Sequence, residues 1–417
     1  MSNRDHEPGG VDWLDLGPDP DEGKPPATPR RRYLWYGGAA ALVAVALLLT
    51  RTQNGANEAA TSANSPSQAV SSSSPSRAVP SSSGSSGSFV NPTGLPTGAA
   101  SLPSRPPTQV TNLGRPLLDA PADWELFARG PGVVYRIQLA LGRITATAVP
   151  EPAHDSSVMF FAGSDRAIVR ALDDSPGYVV RDGKPAAELP LSLAHRLVML
   201  PSRDQQHLWT EATAGDQTRL ALVKLDGAPT GVTIDIPQDA FVQGSDGAGH
   251  VLLTGIGGWY HARPGSMHRI TGGLLVATGP TRWLTVECDD SFSCANVVTD
   301  RASGARRTLN TPVDHAQQQP GMISPDGKTA ALLKYVSDGG IHLLDLGSGL
   351  ARSVAATISE TSFQSGVPFV WSPDSRWLFV IDGANRVLIV NRDTGRATPL
   401  GTRLTPVIQL AVRHGRG

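Results

Sequence analysis

The chain has little cysteine, little lysine and no excess of charge. Its 417 residues include two cysteines and five lysines, and 36 basic residues stand against 37 acidic ones. This balance argues against a protein that binds nucleic acid through a broadly basic surface. The only cysteines, Cys288 and Cys294, exclude a disulfide-dense miniature scaffold and cannot form a structural zinc site by themselves.

Signatures of common enzymes are absent as well. The sequence contains no G-x-S-x-G nucleophile elbow, no H-E-x-x-H zinc motif, no P-loop and no Rossmann fingerprint. The ten histidines are scattered, and the closest group is His250, His261 and His268. Because no ligand spacing is repeated among them, we interpret them as surface or packing residues and predict no metal and no cofactor.

One uncharged apolar run, residues 34–49, lies near the N-terminus between Arg30–Arg32 and Arg51. The residues between Arg32 and Arg51 would span about 27 Å as a helix, enough for a thin hydrocarbon core. The preceding arginines place the N-terminus in the cytoplasm. We therefore predict a single transmembrane helix over 33–50. A cleaved signal peptide is the alternative, which the long leader and the lack of an A-x-A site disfavour.

Polar, low-complexity segments flank this run. Residues 1–32 predict a disordered cytoplasmic tail, in which 11–16 mixes acidic and apolar side chains and is a candidate docking peptide for a cytoplasmic partner. Residues 51–115 are rich in Ser and Pro and predict a disordered linker with a mean span of about 45 Å. Residues 116–417 remain as one folded domain outside the cytoplasm.

From Trp124 onward, short apolar runs alternate with Asp/Gly turns, and no long stretch has helical periodicity. Two internal copies are clear. Met322–Leu333 and Phe369–Ile381 each read as strand, Ser-Pro-Asp turn, strand. A third strand and a second turn follow in each copy, at 343–349 and 388–395, and a short fourth strand closes the unit. Such a unit is typical of one propeller blade.

The S-P-D turn followed by a φ-D-x-x-[ST]-G turn resembles the repeats of TolB-type periplasmic proteins and the propeller half of actinobacterial envelope lipoproteins. The resemblance implies a β-propeller and supplies no catalytic residue. Weaker copies extend the array upstream, so that the units fall at 157–190, 196–236, 240–272, 273–310, 319–355 and 366–400.

A further unit is split between the two ends of the domain. Residues 124–149 supply three strands, and residues 406–413 supply one spare strand. Placing the spare strand innermost in the first unit closes the ring and leaves no free sheet edge. We therefore predict an all-β, seven-bladed propeller, with six or eight blades as alternatives.

The two cysteines flank a predicted hairpin loop. Cys288 ends one strand and Cys294 begins the next, so they face each other at a separation that a disulfide can span. An exported domain folds in an oxidising compartment. We therefore predict a Cys288–Cys294 disulfide.

Loops between second and third strands, and loops between units, open on one face of a propeller. In this chain they carry acidic and histidine side chains, which makes that face a candidate ligand-binding surface for a cation or a basic ligand. The alternative is that Asp simply suits turns. The candidate residues are Asp173, Asp174, Asp289, Asp290, Asp338, His154 and His315.

These patterns favour a membrane-anchored binding, scaffold or sensor module that recognises an envelope protein, peptide or glycan through variable loops on a rigid frame. The alternative is an extracytoplasmic hydrolase or lyase with its site in the propeller funnel. Convergent polar groups with shifted pKa values in the funnel would distinguish the two. The sequence does not identify the ligand.

Overall fold

The computed structural model describes residues 106–151, 158–171, 176–194, 196–214, 217–310, 320–333, 340–358, 368–401, 404 and 406–414. Within these ranges the regular secondary structure is mainly β-strand, with one short α-helix, α1 (Leu191–Ala194), and one short 3-10 helix at Leu139–Leu141. No helix among the described residues is long and apolar enough to cross a bilayer. The predicted tail, the predicted span 33–50 and most of the predicted linker lie outside the described ranges.

The first sheet has five strands in the order β1-β4-β3-β2-β29, and it joins the two ends of the domain. All of its neighbouring strands are antiparallel. The five strands are β1 (Thr108–Asn112), β2 (Glu125–Gly130), β3 (Val133–Gln138), β4 (Arg143–Ala148) and β29 (Gln409–Arg413).

Two four-stranded antiparallel meanders follow along the chain, each built from consecutive strands. The first is formed by β5 (Val158–Ala162), β6 (Arg166–Ala171), β7 (Tyr178–Arg181) and β8 (Ala187–Glu188). The second is formed by β9 (Met199–Pro201), β10 (His207–Ala214), β11 (Gln217–Lys224) and β12 (Pro229–Asp235).

Two further sheets of the same kind are separated along the chain by a larger one. One is formed by β13 (Ala240–Ser245), β14 (Val251–Gly255), β15 (Gly258–Arg263) and β16 (Ser266–Thr271). The other is formed by β25 (Phe369–Trp371), β26 (Trp377–Ile381), β27 (Val387–Asn391) and β28 (Ala397–Pro399).

The larger sheet has eight strands and consists of two such meanders. A short parallel pairing between their first strands, Ala277 with Gly321 and Thr278 with Met322, joins them. The first meander is β17 (Leu274–Thr278), β18 (Arg282–Cys288), β19 (Cys294–Asp300) and β20 (Arg306–Leu309). The second is β21 (Gly321–Ile323), β22 (Thr329–Leu333), β23 (Ile341–Asp345) and β24 (Ala351–Val354).

This arrangement is an all-β propeller, as the repeats predict. The boundaries of the meanders follow the predicted units closely, because each unit combines strand-length apolar runs with two turn signals. Apolar cores fill the spaces between consecutive meanders. Leu344 of β23 and Leu284 of β18, for example, belong to one fully buried cluster, and Phe379 of β26 shares another with Leu126 of β2. The last meander therefore packs on the first.

The C-terminal strand closes the array. β29 pairs with β2, from Glu125 opposite Arg413 to Arg129 opposite Gln409, which confirms the predicted role of residues 406–413. β29 also lies beside β25 and β5, the first strands of the neighbouring meanders. The buried Arg413 side chain forms ion pairs with Glu125 and with Asp182, its Nη2 lying 3.0 Å from Asp182 Oδ2.

One boundary was predicted wrongly. The composition of residues 51–115 predicts a disordered linker, but residues 108–112 form β1, which pairs with β4 from Thr108 opposite Ala146 to Asn112 opposite Arg143. β1 lies at the outer edge of its sheet, and most of its side chains are exposed. Because β1 is largely exposed on both faces, it does not need alternating apolar and polar residues, and its sequence resembles that of the linker.

Candidate functional site

The structure tests little of the predicted acidic face. Asp173, Asp174, Asp338, His154 and His315 all lie outside the described residues. Asp289 and Asp290 lie in the hairpin between β18 and β19. Their role as ligand-binding residues therefore stays a prediction.

That hairpin is closed by a disulfide between Cys288 and Cys294, as predicted. The two cysteines are directly opposite in the strand register. Asp289 Oδ1 accepts hydrogen bonds from the backbone N–H groups of Ser291 and Ser293, and from the Ser291 hydroxyl at 2.6 Å. The Ser291 hydroxyl and these N–H groups lower the pKa of Asp289. Its carboxylate organises the turn, which is the alternative that the sequence had left open.

Large apolar side chains are exposed on the same face as this hairpin. Phe292, at the tip, has a φ of 63° and is 87% exposed. Ile256, in the turn between β14 and β15, is 72% exposed, and Phe241, near the start of β13, is 66% exposed. Ala240 pairs with Gly255, so Phe241 and Ile256 lie at the same end of their sheet. We call Phe241, Ile256 and Phe292 the apolar loop patch.

A second cluster lies toward the opposite ends of the strands, and it is centred on Asp246. This residue follows β13 and is completely buried. Its Oδ1 accepts the backbone N–H groups of Ala248 and His250. Its Oδ2 lies 3.0 Å from His250 Nδ1 and 2.5 Å from Arg301 Nη2. Asp246 thus fixes its own turn and binds a cationic side chain.

Arg301 reaches this carboxylate from the next meander, from the turn between β19 and β20. Its Nη1 donates to the backbone oxygens of Gly279 at 2.9 Å and Asp246 at 3.3 Å. Its guanidinium stacks on the Trp283 ring, 4.8 Å from the ring centroid. Its Nη2 also lies 2.8 Å from His250 Nδ1. Arg301 therefore links the meander β13–β16 to the meander β17–β20.

The three histidines complete the cluster. The rings of His250 and His261 are 5.5 Å apart between centroids, and those of His261 and His268 are 5.3 Å apart. The Trp283 ring lies 5.0 Å from that of His261. His261 Nδ1 and Trp283 Nε1 are buried and have no hydrogen-bond partner among the described residues. The set combines a fixed carboxylate, neighbouring imidazoles and unpaired buried nitrogens.

Burial sets the charge states of this cluster. Burial, followed by the nearby Arg301 charge, lowers the pKa of His261 to about 4, so its imidazole is neutral at physiological pH. Burial alone would raise the pKa of Asp246, but the hydrogen bond from His250 and the Arg301 charge outweigh it and lower the pKa. One potential ligand atom from each of Asp246, His250 and His261 lies within 4.8 Å of the others.

Sequence reasoning grouped the histidines but did not connect them with Asp246 or Arg301. In the sequence, Asp246 lies in a turn of one unit and Arg301 in a turn of the next unit, 55 residues later. Strand alternation could have placed His261 beside His268, since the two pair directly across β15 and β16. The contact with Arg301 depends on how two separate meanders pack.

No protein-family model matches the chain, and no curated protein matches it either. Solved structures do match. A functionally unknown protein from Desulfotomaculum acetoxidans is 11% identical, covering 70% of this chain and 99% of that one, with a TM-score of 0.45. TolB from Acinetobacter baumannii is 15% identical, covering 70% and 82%, with a TM-score of 0.39.

A periplasmic gluconolactonase from Pseudomonas aeruginosa also matches, at 15% identity over 70% of this chain and 99% of that one, with a TM-score of 0.40. Identities this low assign no activity to the chain. The resemblance to TolB-type propeller repeats is confirmed for the fold, because the repeats form the consecutive four-stranded meanders that it implies.

Proposed function

We propose that the chain is a membrane-anchored, extracytoplasmic β-propeller that binds an envelope protein, peptide or glycan through the face carrying the apolar loop patch. The observation that carries this proposal is the exposure of Phe241, Ile256 and Phe292 on one face of a rigid β frame. Exposed apolar surface on a soluble domain is typical of interaction sites. The disulfide holds the hairpin that presents Phe292, which reduces the entropy lost on binding.

We further propose seven blades for this frame. The division of the eight-stranded sheet at the β17–β21 pairing supports this number, since each half is a complete four-stranded meander. The position of β29 supports it too, because with β2, β3 and β4 it completes one more meander. β1 is then an additional outer strand on that blade.

Two observations support a location outside the cytoplasm. The domain contains a disulfide, and disulfides persist chiefly in oxidising compartments. The sequence also has the apolar run 34–49 directly after Arg30–Arg32, which orients an anchor with its C-terminal side outward. The alternative of a hydrolase or lyase stays a prediction, and it names no catalytic residue.

A crosslinking experiment tests the binding face. The full-length chain is expressed in its host cells, crosslinked in intact cells and recovered, beside the variants Phe292→Ser and Ile256→Ser. Leu350→Ser is the matched control, because Leu350 is 72% exposed but lies in the turn between β23 and β24, at the opposite ends of the strands.

We expect a discrete envelope partner with the wild-type chain and with Leu350→Ser, and its loss with the two patch variants. Equal recovery from all four proteins would contradict a role for the patch. Protease treatment of intact cells tests the topology separately. Release of the propeller is expected, and its protection would contradict an extracytoplasmic location.

A further inference from the structure

We propose that Asp246, His250 and His261 form a binding site for a divalent transition-metal cation such as Zn²⁺, beside the boundary between the meanders β13–β16 and β17–β20. Imidazole nitrogens and carboxylate oxygens are the donors that Zn²⁺ takes at sites without cysteine. The site is separate from the apolar loop patch and does not depend on the proposed function.

The donors come from a short stretch of rigid structure. Asp246 and His250 lie four residues apart in one turn, whose shape the Asp246 carboxylate fixes through two backbone N–H groups. His261 lies on β15 opposite Leu252, two residues beyond His250 on the neighbouring strand. The frame therefore holds the three side chains together before any ligand binds, which reduces the ordering cost of binding.

The distances are close to those of a coordination sphere. One potential ligand atom from each residue lies within 4.8 Å of the other two. Bonds of about 2.0–2.1 Å in a tetrahedral zinc site place the ligand atoms about 3.3 Å apart. A closure of about 1.5 Å therefore suffices, which rotation of the imidazole rings can provide.

Two buried nitrogens in the cluster have no hydrogen-bond partner among the described residues, which supports a missing ligand. His261 Nδ1 is buried and has no hydrogen-bond partner among the described residues. A buried polar atom without a partner is uncommon in folded proteins and often marks a missing ion or water. Trp283 Nε1 is a second such atom, on a ring whose centroid lies 5.0 Å from that of His261. Since indole only donates, it requires an oxygen acceptor, such as a water molecule on the cation.

Arg301 is the competitor for this site. Its Nη2 lies 2.5 Å from Asp246 Oδ2 and 2.8 Å from His250 Nδ1, so a cation must displace that nitrogen. Its Nη1 can keep its bonds to the backbone oxygens of Gly279 and Asp246. The guanidinium would then remain close to the cation and repel it. We therefore expect modest affinity, and an increase when the positive charge is removed.

A purely structural role explains only part of the cluster. Arg392 and Asp326 form a similar ion pair between two other meanders, with an Nη1–Oδ2 distance of 2.5 Å, without a histidine beside the carboxylate in the described contacts. An Asp–Arg link between meanders therefore does not require imidazoles. The imidazoles at Asp246 are therefore not needed for the link between meanders, and metal ligation gives two of them, His250 and His261, a role.

Calorimetric titration with ZnCl₂ tests the proposal on the untagged full-length chain in detergent, after removal of metals with EDTA. Co²⁺ titration with visible absorption reports the coordination geometry. The variants are His261→Ala, His261→Gln, Asp246→Asn and Arg301→Gln. His207→Ala is the matched control, because His207 Nδ1 lies 2.9 Å from Asp204 Oδ2 but is not part of a three-donor group among the described residues.

We expect one Zn²⁺ per wild-type chain, and at least a tenfold loss of affinity in both His261 variants and in Asp246→Asn. We expect unchanged affinity in His207→Ala and about a tenfold gain in Arg301→Gln. Circular dichroism of the metal-free variants verifies that they are folded, and the milder His261→Gln serves if His261→Ala is not. Absence of saturable binding, or full binding by a folded His261 variant, would overturn the proposal.

Discussion

Two pairs of neighbouring meanders are joined by the same kind of contact but have different sequences around it. One pair is β21–β24 with β25–β28, and the other is β13–β16 with β17–β20. In the first pair, Arg392 Nη1 lies 2.5 Å from Oδ2 of Asp326, in the Ser-Pro-Asp turn of the preceding meander. In the second pair, Arg301 Nη2 lies 2.5 Å from Oδ2 of Asp246. Each pair of meanders is thus joined by one Asp–Arg contact between turns.

The two arginines occupy the same register position. Each follows the residue that pairs with the first residue of the second strand, Asn391 in one meander and Asp300 in the other. Leu346 has this position in the meander β21–β24, where it follows Asp345. It is completely buried and packs with the cores of the two meanders that it joins. The preceding turn there, Gly279–Arg282, offers no aspartate.

The two pairs differ in what surrounds the carboxylate. Asp326 is partly exposed, with a side-chain exposure of 30%, and its second oxygen serves its own turn. Asp246 is fully buried beside imidazoles and Trp283. The disulfide and the apolar loop patch also belong to the meanders β13–β16 and β17–β20. The regular repeats therefore supply the frame, and the divergent ones carry the features that the frame does not require.

Removing each of the two carboxylates should have the largest effect on stability, and an unequal one in the two pairs of meanders. We expect Asp246→Ala to lower the free energy of unfolding by about 3–5 kcal/mol, because Arg301 would stay buried without its partner. Asp326→Ala should cost about 1 kcal/mol, since Arg392 keeps Asp393 and more access to water. Urea unfolding of both variants measures the difference. If the two variants lost equal free energy of unfolding, the burial of Asp246 would not strengthen its contact with Arg301.

Removing the disulfide should have the next largest effect. The bridge closes a loop of about seven residues, and we expect Cys288→Ser with Cys294→Ser to cost roughly 2 kcal/mol. The corresponding hairpin between β26 and β27 has no bridge, and Asp382 organises it by accepting the N–H groups of Ala384 and Arg386. A reducing agent should destabilise the wild-type chain by the same amount and leave the double variant unchanged. Any other response would contradict a stabilising role.

A smaller effect is expected from acid, which should destabilise the chain through His261 in the meander β13–β16. The pKa of His261 is lowered from 6.5 to about 4, so between these values the unfolded state binds a proton that the folded state does not. The contribution of neutral His261 to the free energy of unfolding is fully present above pH 6.5 and is lost as the pH falls toward 4. Allowing for partial solvent access, we expect a loss of about 1–2 kcal/mol. In EDTA, the midpoint temperature of thermal unfolding should change less between pH 6.5 and pH 4 for His261→Leu than for His207→Leu.

The smallest effect is expected at the exposed tips. Phe292→Ser and Leu350→Ser should each change the free energy of unfolding by no more than about 0.5 kcal/mol, because neither side chain packs in a core. If Phe292→Ser destabilised the chain by much more, its role would be structural, and its loss of partner binding would need a different explanation. Urea unfolding beside the crosslinking assay makes that distinction.

Much of the frame could be predicted because its signals are local. The Ser-Pro-Asp turns and the apolar runs around them located β21–β28, and weaker turns located β5–β20. The disulfide followed from two cysteines at the two ends of one hairpin loop. The pairing of β29 with β2 followed from counting strands, because a closed array leaves no unpaired edge.

The apolar loop patch and the Asp246 cluster were harder to predict from local sequence signals. The apolar loop patch depends on the exposure of Phe241, Ile256 and Phe292, and an apolar residue in a strand or a turn does not reveal on its own whether it is covered. The Asp246 cluster depends on the contact with Arg301, across a boundary that local turn signals do not describe. β1 was missed for a related reason, since its partner β4 is distant in sequence and its side chains are exposed.

The class of fold, the order of the strands, the disulfide and the closing strand could all be inferred from the sequence. These properties follow from periodicity, turn chemistry and strand pairing, which act over a few residues or repeat along the chain. Which side chains from different turns meet depends instead on how the meanders pack in three dimensions. Asp246, Arg301 and Trp283 come together from two meanders. Contacts between repeats depend on the packing of whole sheets, so they cannot be inferred from the local sequence pattern around each residue.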